Sequence, residues 1–428
     1  MHDMKSDKMN LPDNTPLTKI QNTTPPTITQ QIHNVHRNIQ SLCSTLTRES
    51  IINTYNIGIL NNKLHERAAI EHAIQQTTSR NEQFDILRNE IENTPLLKIE
   101  GLLPNNNTLF IKCESESSLG KSHYMRVYYA LIKHYEELGI IKPGDTLYDF
   151  TSGSSGVSLA SIATLLGYCC EIGIPAGGEK AREHAILEWI PKEHLHFSDA
   201  SKYVAGALEF NKQFLKERSD VFFLNHAMSV NEQKQLTVNS ISTDACGNAM
   251  AEVMRDMAQT SLTKMIVVSG NGTTQYGYSK KMKSLLPDIE ITGLEAFQSG
   301  FVFDKLYPDL YQSIYGIDTD DRKKFSRHRL PGTSFPGKTV YPAINESLSF
   351  LRNEVLVWDT QAQEEYEQIF HKSVPKDAIF FDRDIPKELL SWGRTTAASF
   401  KVASTLAEHT YNENILMVAY DHKERYDQ

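Results

Sequence analysis

The sequence predicts an α/β protein built on parallel-type sheets. Two observations carry that reading. From Glu92 onward, short β-branched or apolar runs alternate with helical ones. Two of the loops that directly follow strands consist almost wholly of Gly, Ser, Thr and Asn. In folds of this kind ligands sit at the carboxyl ends of strands, where the loops run into helix N-termini.

The elements follow in chain order. Residues 1–26 are rich in Asn, Thr, Pro and Lys and have no hydrophobic period, which predicts a disordered tail. Residues 27–90 read as a polar helical extension. Ile32, Val35, Ile39 and Leu42 recur at three- and four-residue spacing, Ile57, Ile59 and Leu60 continue in a second helical segment, and a third runs through Ala68 to Ile74. A collar on the main domain and a partner-binding arm both suit this region, with the collar preferred. The alternation then predicts a strand at Leu109–Cys113, a helix at Arg126–Leu138, a strand at Thr146–Phe150, a helix at Ser155–Leu166 and a strand at Cys169–Ile174. Further strands are expected at Lys264–Val268, Glu290–Leu294 and Ile415–Ala419, with helices between them.

Composition narrows the function. The chain of 428 residues is 40% hydrophobic and 23% charged, with 44 Lys and Arg against 53 Asp and Glu, a net charge of −9. That supplies a sizeable core and argues against general affinity for phosphate backbones, so nucleic acid is not an expected partner. Five cysteines form no CxxC pair and predict reduced thiols in a cytoplasmic protein. The N-terminus has no apolar h-region of a secretory signal. Val157–Ala176 carries one charge, Glu171, but changes from helical to strand pattern at Tyr168; it reads as a buried helix and a buried strand, and no membrane association is expected.

Two loops are the candidates for chemistry. Thr151-Ser152-Gly153-Ser154-Ser155-Gly156 follows the strand TLYDF and opens a helix, so its amides and hydroxyls suit a carboxylate or a phosphate. Ser269-Gly270-Asn271-Gly272-Thr273-Thr274 follows KMIVV and opens another helix. Its glycines are expected to let the backbone approach an anion, with Thr273 and Thr274 donating hydroxyls. It is neither a Walker motif nor a GxGxxG fingerprint. Two such loops suggest a ligand with two anionic ends held in a cleft.

At these positions the chain resembles the fold-type II pyridoxal-phosphate enzymes, the group of cysteine synthase, cystathionine β-synthase and tryptophan synthase β-chain. The resemblance covers about residues 91–428. Asn93-Thr94-Pro95-Leu96 matches the family's NTPL, and Ser122 to Arg126 lies at its Ser-x-Lys-x-Arg segment. Thr151–Gly156 matches TSGNTG, Gly270–Thr274 matches GTGGT, and Asp421–Tyr426 matches the closing Asp-Ser-Gly-Glu-Arg-Tyr. The resemblance implies a two-lobed domain, with lobes at roughly 100–250 and 251–428, and a homodimer. It implies pyridoxal 5′-phosphate as cofactor and β-elimination or β-replacement on a small amino acid. Thr151, Ser152, Gly153, Ser155 and Gly156 would hold the substrate, and Gly270, Asn271, Gly272, Thr273 and Thr274 the cofactor phosphate.

The ring-directed positions differ from the family's. The Schiff-base lysine falls on Tyr124, the Asn of TSGNTG on Ser154, and the Ser at the pyridine nitrogen on His422. Tyrosine has no amine. One reading takes the amine from Lys121, on the same face if the segment is helical, with Asp421 or His422 at the pyridine nitrogen and His123 as an acid–base group. The other keeps the fold without the covalent bond, for binding another small anionic ligand, or a protein partner through residues 27–90. Glu295 is expected to be structural, and Cys169-Cys170 to lie inside a buried strand.

Overall fold

The computed structural model describes residues 56–61 and 67–427, except 152, 200–205, 258–259, 327, 334–340 and 385–391. The expected tail at 1–26 and the first helical segment of the extension lie outside the described residues. The chain opens with β1 (Asn56–Asn61), α1 (Arg67–Gln76), α2 (Arg80–Ile91), β2 (Leu96–Glu100) and β3 (Thr108–Cys113). Ile57, Ile59 and Leu60 therefore lie on a strand, not a helix. Ile57 and Ile59 stand at alternate positions, the spacing of a strand face, and the edge of β2 is there to pair with: β1 runs antiparallel to it, Ile57 opposite Ile99.

The first lobe is a parallel βα array: α3 (Tyr124–Glu137), β4 (Thr146–Phe150), α4 (Ser154–Leu165), β5 (Cys169–Pro175), α5 (Lys180–Leu187), β6 (Leu195–Ser198), α6 (Ala207–Glu217) and β7 (Val221–Phe223). Its four strands take the order β6-β5-β4-β7, all parallel. Helix α4 has no polar face because residues 154–163 are all buried, and the serines in its middle are accommodated by bonding within the helix. Ser158 Oγ donates to the Ser154 carbonyl at 3.3 Å and Ser161 Oγ to the Ser158 carbonyl at 3.1 Å. Cys170 is buried in β5, where burial pushes its thiol up, but Cys169 opens the strand exposed to solvent. The expectation of two core thiols holds for one: Cys169, although paired with Thr146 in the sheet, is exposed at the start of the strand.

The chain continues through a short hairpin, β8 (Ser229–Val230) and β9 (Leu236–Thr237), to α7 (Ser240–Asp256), β10 (Lys264–Val268), α8 (Thr273–Leu285), β11 (Glu290–Ala296), α9 (Phe301–Leu306), α10 (Leu310–Tyr315) and α11 (Pro342–Ser347). It ends with β12 (Asn353–Trp358), α12 (Thr360–Phe370), β13 (Ile379–Phe380), α13 (Arg394–Glu408) and β14 (Asn414–Ala419). The large sheet has the order β1-β2-β3-β14-β10-β11-β12-β13. Beyond the antiparallel β1, β2 and β3 at one edge, its neighbours are parallel. Central β10 and β14 are apolar runs because both faces are covered. A cut near residue 250 does not separate the sheets: β2 and β3 come early in the chain, yet pair into the large sheet beside β14.

Helices α1 and α2 are packed on this body. Phe84, Leu87 and Ile91 of α2 enter the core, and Arg80 spans to α3, its Nε 2.6 Å from Glu136 Oε1. Among the described residues no helix is long and apolar enough to cross a membrane.

Candidate active site at the start of helix α3

The two loops and the C-terminal segment converge on the first residues of α3. Ser122 pairs as an antiparallel bridge with Asp421, just past β14. The His123 amide donates to the Tyr420 carbonyl at 3.0 Å, and its ring Nε2 lies 3.1 Å from Thr274 Oγ1 in the α8 loop. Ser154 of the α4 loop donates to Asp421 Oδ2 at 2.7 Å. His123 is buried, which brings its ring down to about 4, so it is neutral at physiological pH. It packs 4.1 Å from the Tyr124 ring, whose phenol burial pushes up.

Within the α4 loop the Gly153 amide donates to Thr151 Oγ1 at 3.1 Å, and the Thr151 and Ser155 hydroxyls bond to each other. Gly153 holds φ at 134°, a conformation that favours glycine. Gly156 is packed among Thr151, Ile172 and Ile186. Ser152 lies outside the described residues. In the α8 loop the glycines are required by the chain itself. A Cβ on Gly270 would stand 2.6 Å from the Gly332 carbonyl, and one on Gly272, at φ 86°, 2.4 Å from the Ile344 amide. Asn271 Oδ1 accepts the Thr273 amide at 3.0 Å, and Thr273 Oγ1 donates to the Ala227 carbonyl at 3.4 Å.

Lys121 is not on the helix. It precedes it in a left-handed turn, φ 49°, and its Nζ is 2.8 Å from Glu424 Oε1. The expectation of a helical rise from Lys121 to Tyr124 is therefore corrected: α3 starts at Tyr124, with His123 just before it. Lys112 is fully buried, donating to Glu252 at 2.8 Å and to the Thr94 carbonyl at 2.7 Å. Asp421 accepts from Ser154 and from the Tyr426 hydroxyl, with Arg182 at 3.6 Å. His422 Nδ1 accepts the Glu424 amide at 3.4 Å.

The residue reading missed one cluster. Asp149 Oδ2 accepts from the Tyr128 hydroxyl at 3.1 Å and from the His226 amide at 3.1 Å, and lies 2.9 Å from His226 Nδ1. The His226 ring stands edge-to-face with Tyr124, centroids 5.4 Å apart. The signal available in the sequence was a lone acid within the apolar strand TLYDF, two residues before the loop. Nothing in the sequence pointed to His226.

Behind the site Arg126 is buried between Glu114 and Glu252, with Nε 2.7 Å and Nη1 2.6 Å from them. Burial opposes the charge on Glu252, but Arg126 and Lys112 bring its carboxyl down to about 2. Glu295 is buried with Oε1 accepting the Phe303 amide at 2.8 Å; burial raises it to about 7. Burial and the nearby Glu295 also raise Glu354.

Residues 87–342 match the family model described as pyridoxal-phosphate dependent enzyme. The chain belongs to this family. Cysteine synthase 2 of Emericella nidulans is 37% identical over 315 residues, covering 68% of each chain. Cysteine synthase of Staphylococcus aureus is 24% identical over 292 residues, covering 62% of this chain and 90% of its own. Among solved structures, a hydrogen sulfide-producing enzyme of Fusobacterium nucleatum superposes with a TM-score of 0.60 at 21% identity, covering 80% of this chain and 99% of that one. The fold-type II architecture expected from the motifs is the one observed.

The family's cofactor offers a phosphate at one end and an aldehyde at the other. The phosphate end fits: α8 presents its N-terminus, with no hydrogen bond to the Thr274 or Gln275 amides among the described residues. Toward the other end Tyr124 stands at the start of α3, and the Lys112 and Lys121 amines are paired with Glu252 and Glu424.

Proposed function

We propose that this chain binds pyridoxal 5′-phosphate by its phosphate at the N-terminus of α8 and acts on a small amino acid as cysteine synthases do, by β-elimination or β-replacement. The observation that carries the reading is the convergence of both anion-binding loops on the start of α3. Thr274 touches His123 from one side, and Ser154 reaches Asp421, the bridge partner of Ser122, from the other. The cysteine synthase relatives supply the reaction class. In this proposal Gly270–Thr274 hold the phosphate, Thr151–Gly156 hold the amino-acid carboxylate, and Ser154, Asp421 and His422 border the ring. The cofactor, when bound, supplies the electron sink. It is held without a covalent tether, because a Lys121 amine would have to leave Glu424. Buried cysteines in no disulfide, Cys170 and Cys246, suit a cytoplasmic protein, and the family's habit suggests a homodimer.

The test is titration of the purified chain with pyridoxal phosphate, read by absorbance, followed by assay with O-acetyl-L-serine and sulfide. Saturable binding and cysteine formation are expected. A folded protein that takes up no cofactor at millimolar concentration overturns the reading. Borohydride reduction with peptide mapping should leave every lysine unlabelled; a label on Lys121 or another lysine overturns the untethered mode while leaving the cofactor in place.

A further inference from the structure

The Asp149–His226–Tyr128 cluster lies between the two loops just described. Asp149 is the penultimate residue of β4, two residues before Thr151, and the Ala227 carbonyl, next to His226, accepts the Thr273 hydroxyl of the α8 loop. Tyr124 and Tyr128 are one helical turn apart on α3, so both rings flank the imidazole, with centroids at 5.4 and 5.6 Å. The titratable groups that face His226 are thus Asp149 from β4 and Tyr124 and Tyr128 from α3, with His123 beside Tyr124.

The hydrogen bonding sets the tautomer. Nδ1 lies 2.9 Å from the Asp149 carboxylate, which can only accept, and 3.1 Å from the Tyr128 hydroxyl; with the carboxylate as its partner Nδ1 carries the hydrogen and Nε2 the lone pair. The Tyr128 hydroxyl donates to the same Asp149 oxygen and holds the carboxylate in place. Among the described residues nothing hydrogen-bonds to His226 Nε2. An oriented imidazole with an acidic partner behind it and an unengaged nitrogen in front is the arrangement of a general base. It stands against Tyr124, the position at which an amine is otherwise expected.

We propose that His226, oriented by Asp149 and Tyr128, is the residue that takes the proton from the α-ammonium group of the amino-acid substrate in this chain. An amino acid arrives as an ammonium ion, which is not a nucleophile. In the step, one N–H bond of the ammonium breaks and its electron pair stays on the substrate nitrogen. The proton bonds to Nε2, and the imidazolium so formed is balanced by the Asp149 carboxylate. This rests on the proposed amino-acid function and adds to it the group that activates the substrate.

The test uses the full chain loaded with pyridoxal phosphate and titrated with L-serine at pH 8, read by nitrogen-15 NMR of the histidine rings, with His226→Gln assigning the His226 signal by its loss. In the wild type His226 Nε2 should be unprotonated in the holoprotein and protonated once L-serine saturates it. An Nε2 that is protonated from the start or unchanged by L-serine overturns this proposal alone. Failure to bind the cofactor, or of the holoprotein to bind L-serine, overturns the amino-acid function and this proposal together.

Discussion

At the scale of single residues, the start of α3 shows how burial sets chemistry. His123 is placed by its amide bond to Tyr420 and its ring contact with Thr274, and burial keeps it neutral. Its ring titrates near 6.5 when unfolded and about 4 when folded, so the unfolded chain binds more protons in that window. The contribution to stability is fully present above pH 6.5 and is lost as pH falls through 4. We predict that wild type loses up to about 3 kcal/mol from this group between those values, and that His123→Gln loses correspondingly less. Urea denaturation of both proteins at pH 7 and pH 4 checks this; parallel losses would remove His123 as the cause.

At the scale of elements, a buried four-charge network ties the site to the core. Lys112 on β3, Arg126 on α3, Glu114 after β3 and Glu252 on α7 neutralise one another, and the Thr94 hydroxyl donates to Glu114 at 2.7 Å. Removing one member leaves its partners charged and unpaired in the interior. Arg126→Leu is therefore expected to cost about 3–5 kcal/mol at pH 7, measured by denaturant unfolding. Glu252, held down to about 2, gives the network an acid limit: its contribution is present above the ordinary carboxylate value of 4.5 and is lost as pH falls through 2. A cost below about 1 kcal/mol for Arg126→Leu would mean the core reorganises around the lost cation. The glycines of the α8 loop belong to this scale too. They are demanded by the backbone of Gly332 and Ile344 crossing the loop, so any side chain at Gly272 disturbs α11 before it reaches a ligand.

At the scale of the whole molecule, the last residues fasten one lobe to the other. Asp421, beyond β14 of the large sheet, holds Ser154 and Tyr426; Arg182 Nε donates to the Arg425 carbonyl at 3.1 Å. Asp427 caps α5 by accepting the Lys180 and Ala181 amides at 3.0 and 2.9 Å. Ending the chain after Tyr420 removes all of these at once. We expect that truncation to lower the melting temperature by several degrees and to expose α4 and α5 to protease. Limited proteolysis with mass mapping reads it; an unchanged cleavage pattern would show that the lobes hold together without this segment.

The sequence by itself determined the α/β class, the order of the parallel strands in the chain and the positions of both loops. Those features are written in local pattern: apolar runs such as KMIVV and ILMVA, and small residues where a strand hands over to a helix. The strand at 56–61 was misread because a short alternating run becomes a strand only when a sheet edge lies beside it, and β2 supplies that edge through tertiary contact. Only the tertiary structure decided that Lys121 turns away to Glu424, that the loop glycines are crowded by Gly332 and Ile344, and that Asp149 and His226 meet. The last two residues are 77 positions apart in the chain. Nothing in their own neighbourhoods specifies the encounter, because it is made by packing α3 against β4 and the segment after β7, and a contact between distant segments leaves no period for a local pattern to show.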